Sequence, residues 1–134
     1  MKKLSRLTTV SILLLLIGLS CTAQTAATPA LSKAEAREKV AADIAYNLGA
    51  KKYTAARKDF AKIMLDALSE EKLKTDWENL ESKMGAFQKV LTTTEEDKNG
   101  YKIIKKRCQF ASENASILVT FNEEGQIIGL YFKP

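Results

Sequence analysis

The amino-acid sequence predicts an α+β domain in which three helices precede a four-stranded antiparallel sheet and lie on one of its faces. Two observations predict this class. As far as Met84 the apolar residues recur every three or four positions, which is typical of helices, whereas beyond Phe87 they alternate, which is typical of strands. The connections in the second half are short turns, and short turns join antiparallel strands.

The N-terminal residues 1–23 have the layout of a secretory signal peptide. Basic residues come first, the apolar run 10–19 follows, and small side chains come next. The apolar run is shorter than the about 20 residues that a transmembrane helix needs. Residues 24–32 are rich in Thr and Ala and are expected to form a flexible leader, so that the domain proper spans residues 33–134. We therefore expect an exported protein, periplasmic or secreted.

Two kinds of N-terminal processing fit this segment. Cys21 and Ala23 are small residues at positions −3 and −1 of a cleavage site, with Gln24 as the new N-terminus. Alternatively, Cys21 is lipidated as in bacterial lipoproteins. Ser20 fits that motif, although the aliphatic and small residues before it stand in reversed order. A lipid on Cys21 would anchor the protein to a membrane, and a retained signal anchor would also hold the domain outside the cytoplasm.

The charge of the chain does not indicate nucleic-acid binding. The full sequence has 21 Lys and Arg against 16 Asp and Glu, but removal of residues 1–23 leaves 18 against 16, a net charge of +2. A nucleic-acid-binding surface usually shows a clustered basic footprint. We therefore expect no nucleic-acid partner.

The absence of histidine from the sequence excludes Ser-His-Asp catalysis, Cys-His catalysis and histidine-ligated zinc. Once Cys21 is removed, Cys108 is the remaining cysteine, and it cannot supply a thiolate metal cluster. Cys108 lies in a predicted strand, where a buried thiol behaves as a small apolar side chain. A reactive thiol or an intermolecular disulfide is the alternative. We expect no metal and no cofactor.

The first helix begins and ends at recognisable residues. Ser32 and Glu35 have the spacing of a capping box, which predicts a helix start at Lys33. Apolar residues then recur at four-residue spacing up to Leu48, and Gly49 provides the helix stop.

Two further helical segments precede the sheet. In residues 54–68 the apolar side chains crowd toward the end, so this stretch is one helix or two short ones. Ser69 is a good N-cap for the next helix, and Gly85 closes it. That helix has one apolar stripe, formed by Leu73, Trp77, Leu80 and Met84.

The second half of the chain contains four predicted strands, at residues 87–95, 101–110, 117–121 and 126–132. Asn99-Gly100 is the strongest short hairpin signal. The last strand is apolar on both faces, so we expect it to be central or covered on both sides.

The second predicted strand has two different faces. Ile104, Cys108 and Phe110 share one of them. Alternation sends Lys106 to the opposite face from Lys105 and Arg107, which breaks any continuous basic patch. We expect this basic run to belong to a solvated sheet face, and an anionic surface partner is the alternative.

An ordered set of short sequences carries a resemblance to a known family. They are Tyr53-Thr54-Ala55-Ala56, Phe60, Leu73-Lys74-Thr75-Asp76-Trp77, Gly85-Ala86-Phe87, Asn99-Gly100-Tyr101, Cys108-Gln109-Phe110, Val119-Thr120-Phe121 and Gly125-Gln126-Ile127-Ile128-Gly129-Leu130. Over about residues 34–134 the chain resembles the bacterial domain of unknown function 3887 (DUF3887), within the nuclear-transport-factor-2-like superfamily of cone-shaped α+β domains. The resemblance implies helices packed on the concave face of a curved sheet, often with an apolar pocket. It implies no established catalytic residues.

Aromatic side chains are the candidate ligand-binding residues, because an aromatic group with a polar tip suits a small-molecule site. Core or rim packing is their other role, and for Trp77, on the apolar stripe, we expect packing. The candidates are Tyr46, Tyr53, Trp77, Tyr101, Phe110 and Tyr131.

The sequence therefore predicts an exported, non-catalytic module that binds a small apolar ligand or a protein partner. A homodimer formed through the sheet is a further expectation. The alternative function is a small isomerase-like enzyme that uses a buried carboxylate beside a tyrosine in a pocket. Membrane attachment is expected only through lipidation of Cys21.

Overall fold

The computed structural model describes residues 30–134, so the predicted signal peptide and most of the predicted leader lie outside the described residues. Within that range the chain is α+β, as predicted, with four helices followed by a four-stranded antiparallel sheet. None of the helices in this part is long and apolar enough to cross a membrane. The elements are α1 (Lys33–Gly49), α2 (Tyr53–Ala56), α3 (Lys62–Ala67), α4 (Glu70–Met84), β1 (Phe87–Lys98), β2 (Tyr101–Phe110), β3 (Asn114–Phe121) and β4 (Ile127–Lys133).

The first helix begins at the predicted capping box. The Ser32 hydroxyl accepts a hydrogen bond from the Glu35 N–H at 3.2 Å, and the Glu35 carboxylate accepts one from the Ser32 N–H at 2.8 Å. Both bonds satisfy donors that a helix start leaves unpaired. The helix ends at Gly49, where an added Cβ would lie 2.3 Å from Cδ1 of Phe87. The missing side chain therefore lets the end of α1 approach β1.

The second helical stretch is divided into α2 and α3, so the prediction of three helices is corrected to four. Between them the backbone leaves the helix and forms a parallel bridge between Phe60 and Ile127. The Ile127 N–H donates to the Asp59 carbonyl at 3.0 Å, and the Ala61 N–H donates to the Ile127 carbonyl at 2.9 Å. Because the sheet engages these backbone groups, they cannot continue a helix.

The last helix, α4, has the predicted cap and the predicted stripe. The Ser69 hydroxyl accepts from the Lys72 N–H at 3.2 Å. Gly85 follows the helix with φ of +86°, and an added Cβ there would lie 2.7 Å from Cβ of Ala111. Both facts require glycine at this position. The buried residues of α4 are those of the predicted stripe, Leu73, Trp77, Leu80 and Met84.

Strand order follows chain order, β1-β2-β3-β4, and all neighbouring pairs are antiparallel. Asn99 and Gly100 have φ values of +53° and +81°, so the predicted hairpin turn is confirmed. The third strand begins at Asn114, three residues before the predicted start at Ile117.

The prediction for the last strand is wrong, because β4 lies at an edge of the sheet and Tyr131 is 62% exposed. Leu130 and Phe132 pack against the core from this strand, whereas Tyr131 belongs to the opposite face. The strand is therefore apolar on both faces without being covered on both.

The helices and one face of the sheet share a single apolar core. The predicted face of β2 is confirmed, since Ile104, Cys108 and Phe110 are all buried. The register places Val119 opposite Ile104 and Ala115 opposite Cys108, so β3 adds its buried row to the same face.

Replacing Trp77 by alanine tests this core. Trp77 is 0% exposed, so we expect Trp77→Ala to lower the free energy of unfolding by roughly 3–5 kcal/mol through lost burial and a residual cavity. Denaturant unfolding measures the change. Lys74→Ala, on the exposed side of α4, is the control and should shift stability by no more than about 0.5 kcal/mol. Equal effects of the two substitutions would contradict the core role.

Candidate functional site

A buried lysine interrupts the apolar face of β2. Lys106 is 3% exposed, and within residues 30–134 the buried polar residues are Lys106 and Ser116. The expectation of a solvated basic run is wrong for Lys106. Strand alternation, which separates it from Lys105 and Arg107, also gives it the same face as Ile104 and Cys108.

The ammonium group of Lys106 lies where α1 meets β1. Its Nζ donates to the Thr93 hydroxyl at 2.8 Å and lies 3.8 Å from Oε1 of Glu38. A second ion pair connects the same two elements, since Nη2 of Arg37 lies 2.9 Å from Oε1 of Glu95. These contacts join α1 to the sheet at the boundary between core and solvent.

The environment of Lys106 favours its neutral form. Burial lowers the pKa of Lys106 below its ordinary value of 10.5, and the nearby Glu38 and Cys108 act in the opposite direction. A lysine with a lowered pKa can act as a nucleophile or base if a substrate reaches it. Lys106 lines none of the three surface clefts described below. We therefore interpret it as a structural group.

The interpretation of Cys108 as a core residue is confirmed. Its side chain is 0% exposed, and its thiol lies 3.5 Å from the Lys106 carbonyl, to which it can donate. Burial raises the pKa of Cys108 to about 11, although the charge of Lys106 acts in the opposite direction. A buried, protonated thiol is a poor nucleophile.

The six predicted ligand-binding aromatics do not lie at one site. Trp77 and Phe110 meet in the core, with ring centroids 5.6 Å apart. Tyr53 is buried in α2. The three exposed members belong to three different elements and are Tyr46, Tyr101 and Tyr131.

Two phenylalanines that were not among the candidates complete the aromatic cluster around Trp77. The ring centroids of Phe87 and Phe132 lie 5.9 Å and 5.6 Å from that of Trp77. Phe132 could have been found from its alternation with Leu130 in the last strand. The sequence indicated a core position for Phe87 more weakly, through its place immediately after Gly85-Ala86 at the end of the helix.

Two buried polar atoms of core residues have no hydrogen-bond partner among the described residues. They are the Tyr53 hydroxyl and Nε1 of Trp77. Burial raises the pKa of Tyr53, and the negative charge of Glu78 adds to this effect. Unpaired buried groups of this kind are uncommon and costly.

A pocket enzyme would need a buried carboxylate beside a tyrosine hydroxyl. Within residues 30–134 no Asp or Glu is buried. Asp43 faces solvent and pairs with Lys39 at 3.1 Å. Glu81 is more enclosed, but it pairs with Lys51 and accepts from the Phe87 N–H at 3.3 Å, which are structural contacts. The same part of the chain contains no group of three or more side chains able to hold a metal ion.

A groove of about 370 Å³ lies between α4 and β4, and we call it the α4–β4 groove. It combines apolar side chains of both elements with a polar rim from α4. Because β4 is an edge strand, the groove runs beside a strand that, among the described residues, pairs on its outer side only at Ile127. Its lining residues are Leu68, Asp76, Asn79, Leu80, Lys83, Leu130, Tyr131, Phe132 and Pro134.

Two other clefts lie near the hairpin turns. One of about 380 Å³ is formed by residues 99–101 and 122–124, and it includes Tyr101. One of about 270 Å³ lies between α1 and residues 123–125. Volume alone would favour the first. However, its walls are turn residues with few apolar side chains, so the α4–β4 groove is the better candidate.

A scan against protein-family models matched residues 41–130 to the family described as protein of unknown function (DUF3887). The chain belongs to the DUF3887 family. The DUF3887 match runs from α1 to Leu130 in β4, and it confirms the family resemblance that the short motifs indicated. Searches of curated proteins and of solved structures found no match to this DUF3887 protein.

Replacing Lys106 by methionine tests the cost of the buried charge. The folded protein releases the Lys106 proton at lower pH than the unfolded chain, because the pKa is lowered in the fold. The unfolded chain then binds more protons, so stability due to Lys106 rises with pH up to about 10.4. We expect Lys106→Met to be at least as stable as the natural protein at neutral pH, with the difference shrinking in alkaline solution.

Denaturant unfolding at several pH values measures this difference. Both proteins carry Cys108→Ala in this comparison, because the charge of Lys106 also acts on the pKa of Cys108. Lys105→Met, on the other face of β2, is the matched control. A difference between the natural protein and Lys106→Met that stays constant between neutral and alkaline pH would contradict the lowered pKa.

Thiol labelling tests the burial of Cys108. Because its thiol is fully buried and its pKa is raised to about 11, we expect a thiol reagent to modify Cys108 in denaturant but not in the native protein. Peptide mass spectrometry separates its labelling from that of Cys21. Labelling at equal rates in the two conditions would show an accessible, reactive thiol instead.

Proposed function

We propose that this DUF3887 domain is a non-catalytic binding module and that the α4–β4 groove is its binding surface. The observation that carries the proposal is an edge strand whose open side borders apolar side chains of a helix. Leu130 and Phe132 are only partly buried there. A ligand in the groove would remove their remaining apolar surface from water, which is favourable.

The composition of the groove supports an interaction surface. Its apolar centre is bordered by Asp76, Asn79 and Lys83 on exposed positions of α4. An apolar centre with a polar rim is the usual anatomy of a protein interface, and tyrosine is enriched in such interfaces. Tyr131 contributes to the lining of the groove, and its side chain, on the outer face of β4, is more than half exposed.

The alternative of a small isomerase-like enzyme has one observation in its favour, the unpaired hydroxyl of the buried Tyr53. A general acid or base must lie within hydrogen-bond reach of the group it serves. None of the described carboxylates is buried, and none bonds to the Tyr53 hydroxyl. We therefore propose binding rather than catalysis.

The proposal includes a location outside the cytoplasm, periplasmic or secreted, which the signal-peptide layout of residues 1–23 supports. Lipidation of Cys21 would place the same module at a membrane surface. We also propose the nuclear-transport-factor-2-like arrangement, with the helices on the concave face of the sheet. The core shared by the helices and one sheet face supports it.

Amide NMR with a library of small apolar fragments tests the proposed binding surface. We expect bound fragments to shift the signals of Leu80, Tyr131 and Phe132. Tyr131→Ala should weaken binding by about tenfold, since aromatic anchors carry much of the affinity at such surfaces.

Tyr101→Ala is the matched control, because it removes another exposed tyrosine from a different cleft. It should leave fragment affinity unchanged. Fragments that gather in the hairpin-turn cleft instead would refute the α4–β4 groove as the binding surface.

A further inference from the structure

We infer that the α4–β4 groove takes an extended polypeptide segment of another protein, which joins the sheet as a new strand beside β4. The inference rests on the proposed function and specifies the class of ligand. Strand addition of this kind uses main-chain hydrogen bonds for affinity and side-chain pockets for specificity.

At Ile127, the first residue of β4, the outer side of the strand already forms main-chain hydrogen bonds with another segment of this chain. Ile127 exchanges two backbone hydrogen bonds with Asp59 and Ala61, at 3.0 Å and 2.9 Å. Beyond Ile127, residues 129–133 have no strand on this side within the part of the chain that the structure describes. Helix α3 also contacts β4. The backbone of β4 is therefore able to pair on this side, and beyond Ile127 no other described strand uses it.

The other edge of the sheet is protected, and β4 is not. The outer strand β1 is interrupted by register shifts at Phe87/Lys89 and Val90/Thr92, and it ends in the charged run 95–98. Bulges and charges are the usual devices that prevent a sheet edge from pairing with another chain. The part of β4 after its first residue has Leu130, Tyr131 and Phe132 instead, and its charge is confined to Lys133.

The shape of the groove favours a peptide over a small apolar molecule. At about 370 Å³ and open to solvent, it would leave much of such a molecule exposed, whereas small-molecule sites usually bury most of the ligand. A strand does not need enclosure, because its main chain bonds to β4 and only alternate side chains enter the groove.

A second copy of the chain fits less well. Its own β4 would arrive with Leu130 and Phe132 already packed against its core. The opposite face of that strand offers Tyr131 and Lys133. The second copy would then have no unburied apolar side chain to place in the groove. A separate extended segment can place the apolar side chains of one face there.

Two charged residues of α4 indicate where the segment should carry opposite charges. Asp76 and Lys83 lie on the groove rim seven residues apart, which is about 10 Å along a helix and matches about three residues of a strand. A segment with an apolar centre, a basic residue near Asp76 and an acidic residue near Lys83 is therefore complementary.

Selection from a random library of short displayed peptides tests the inference on the protein in its processed form. Selected peptides should alternate apolar and polar residues and shift the amide signals of β4. Trp77, the single tryptophan, lies 5.6 Å from the groove residue Phe132, so its emission reports occupancy.

Synthetic peptides with N-methyl groups on alternate amides provide the decisive comparison. Successive N–H groups of a strand point to opposite sides. Methylation of one alternate set should therefore lower affinity by about tenfold or more, and methylation of the other set should have little effect. The double substitution Asp76→Lys with Lys83→Asp should transfer preference to peptides of inverted charge.

The other outcomes separate the two proposals. Equal binding of both methylated sets, or fragment binding without any peptide enrichment, overturns strand addition and leaves the binding surface intact. Failure of peptides and fragments alike overturns both. A dimer in native mass spectrometry that Tyr131→Ala dissociates would identify a second copy as the occupant and overturn the inference.

Discussion

The tertiary structure depends on the burial of Trp77 among phenylalanine rings from three of the four strands. Their centroids lie 5.6–5.9 Å from that of Trp77, within the range of favourable aromatic pairs. One side chain of α4 thereby connects β1, β2 and β4. Gly49 allows the end of α1 to reach Phe87, and Gly85 turns the chain from α4 into β1. The three rings are Phe87, Phe110 and Phe132.

The backbone bridge between Phe60 and Ile127 links the helical half to the proposed binding edge of the sheet. The same two backbone hydrogen bonds that divide the second helical stretch cover the first residue of β4, and within residues 30–134 no strand pairs with the outer side of the residues that follow. Phe132 is one of those residues and also contacts Trp77. The contact of Phe132 with Trp77 therefore fixes this part of β4 to the core. A pairing segment would meet a strand that is already ordered.

Lys106 shows how a regular pattern can place a costly group in the core. Alternation sends it to the apolar face, and one hydroxyl together with a distant carboxylate compensates only part of its desolvation. Lys106 is buried, whereas Glu38 is more than half exposed, so the carboxylate stays largely in water. The contacts of Lys106 with Thr93 and Glu38, beside the Arg37–Glu95 pair, join α1 to the sheet.

The α+β class, the capping box of α1, the buried stripe of α4 and the Asn99-Gly100 turn were predictable from the sequence, because each depends on residues close together in the chain. The sequence also indicated the family and the core position of Cys108. The division of the second helical stretch, the edge position of β4 and the α4–β4 groove became visible only in the folded chain. These features depend on backbone and side-chain contacts between residues far apart in sequence. Hydrophobic periodicity shows which face of an element is buried, but it does not show which element lies against that face.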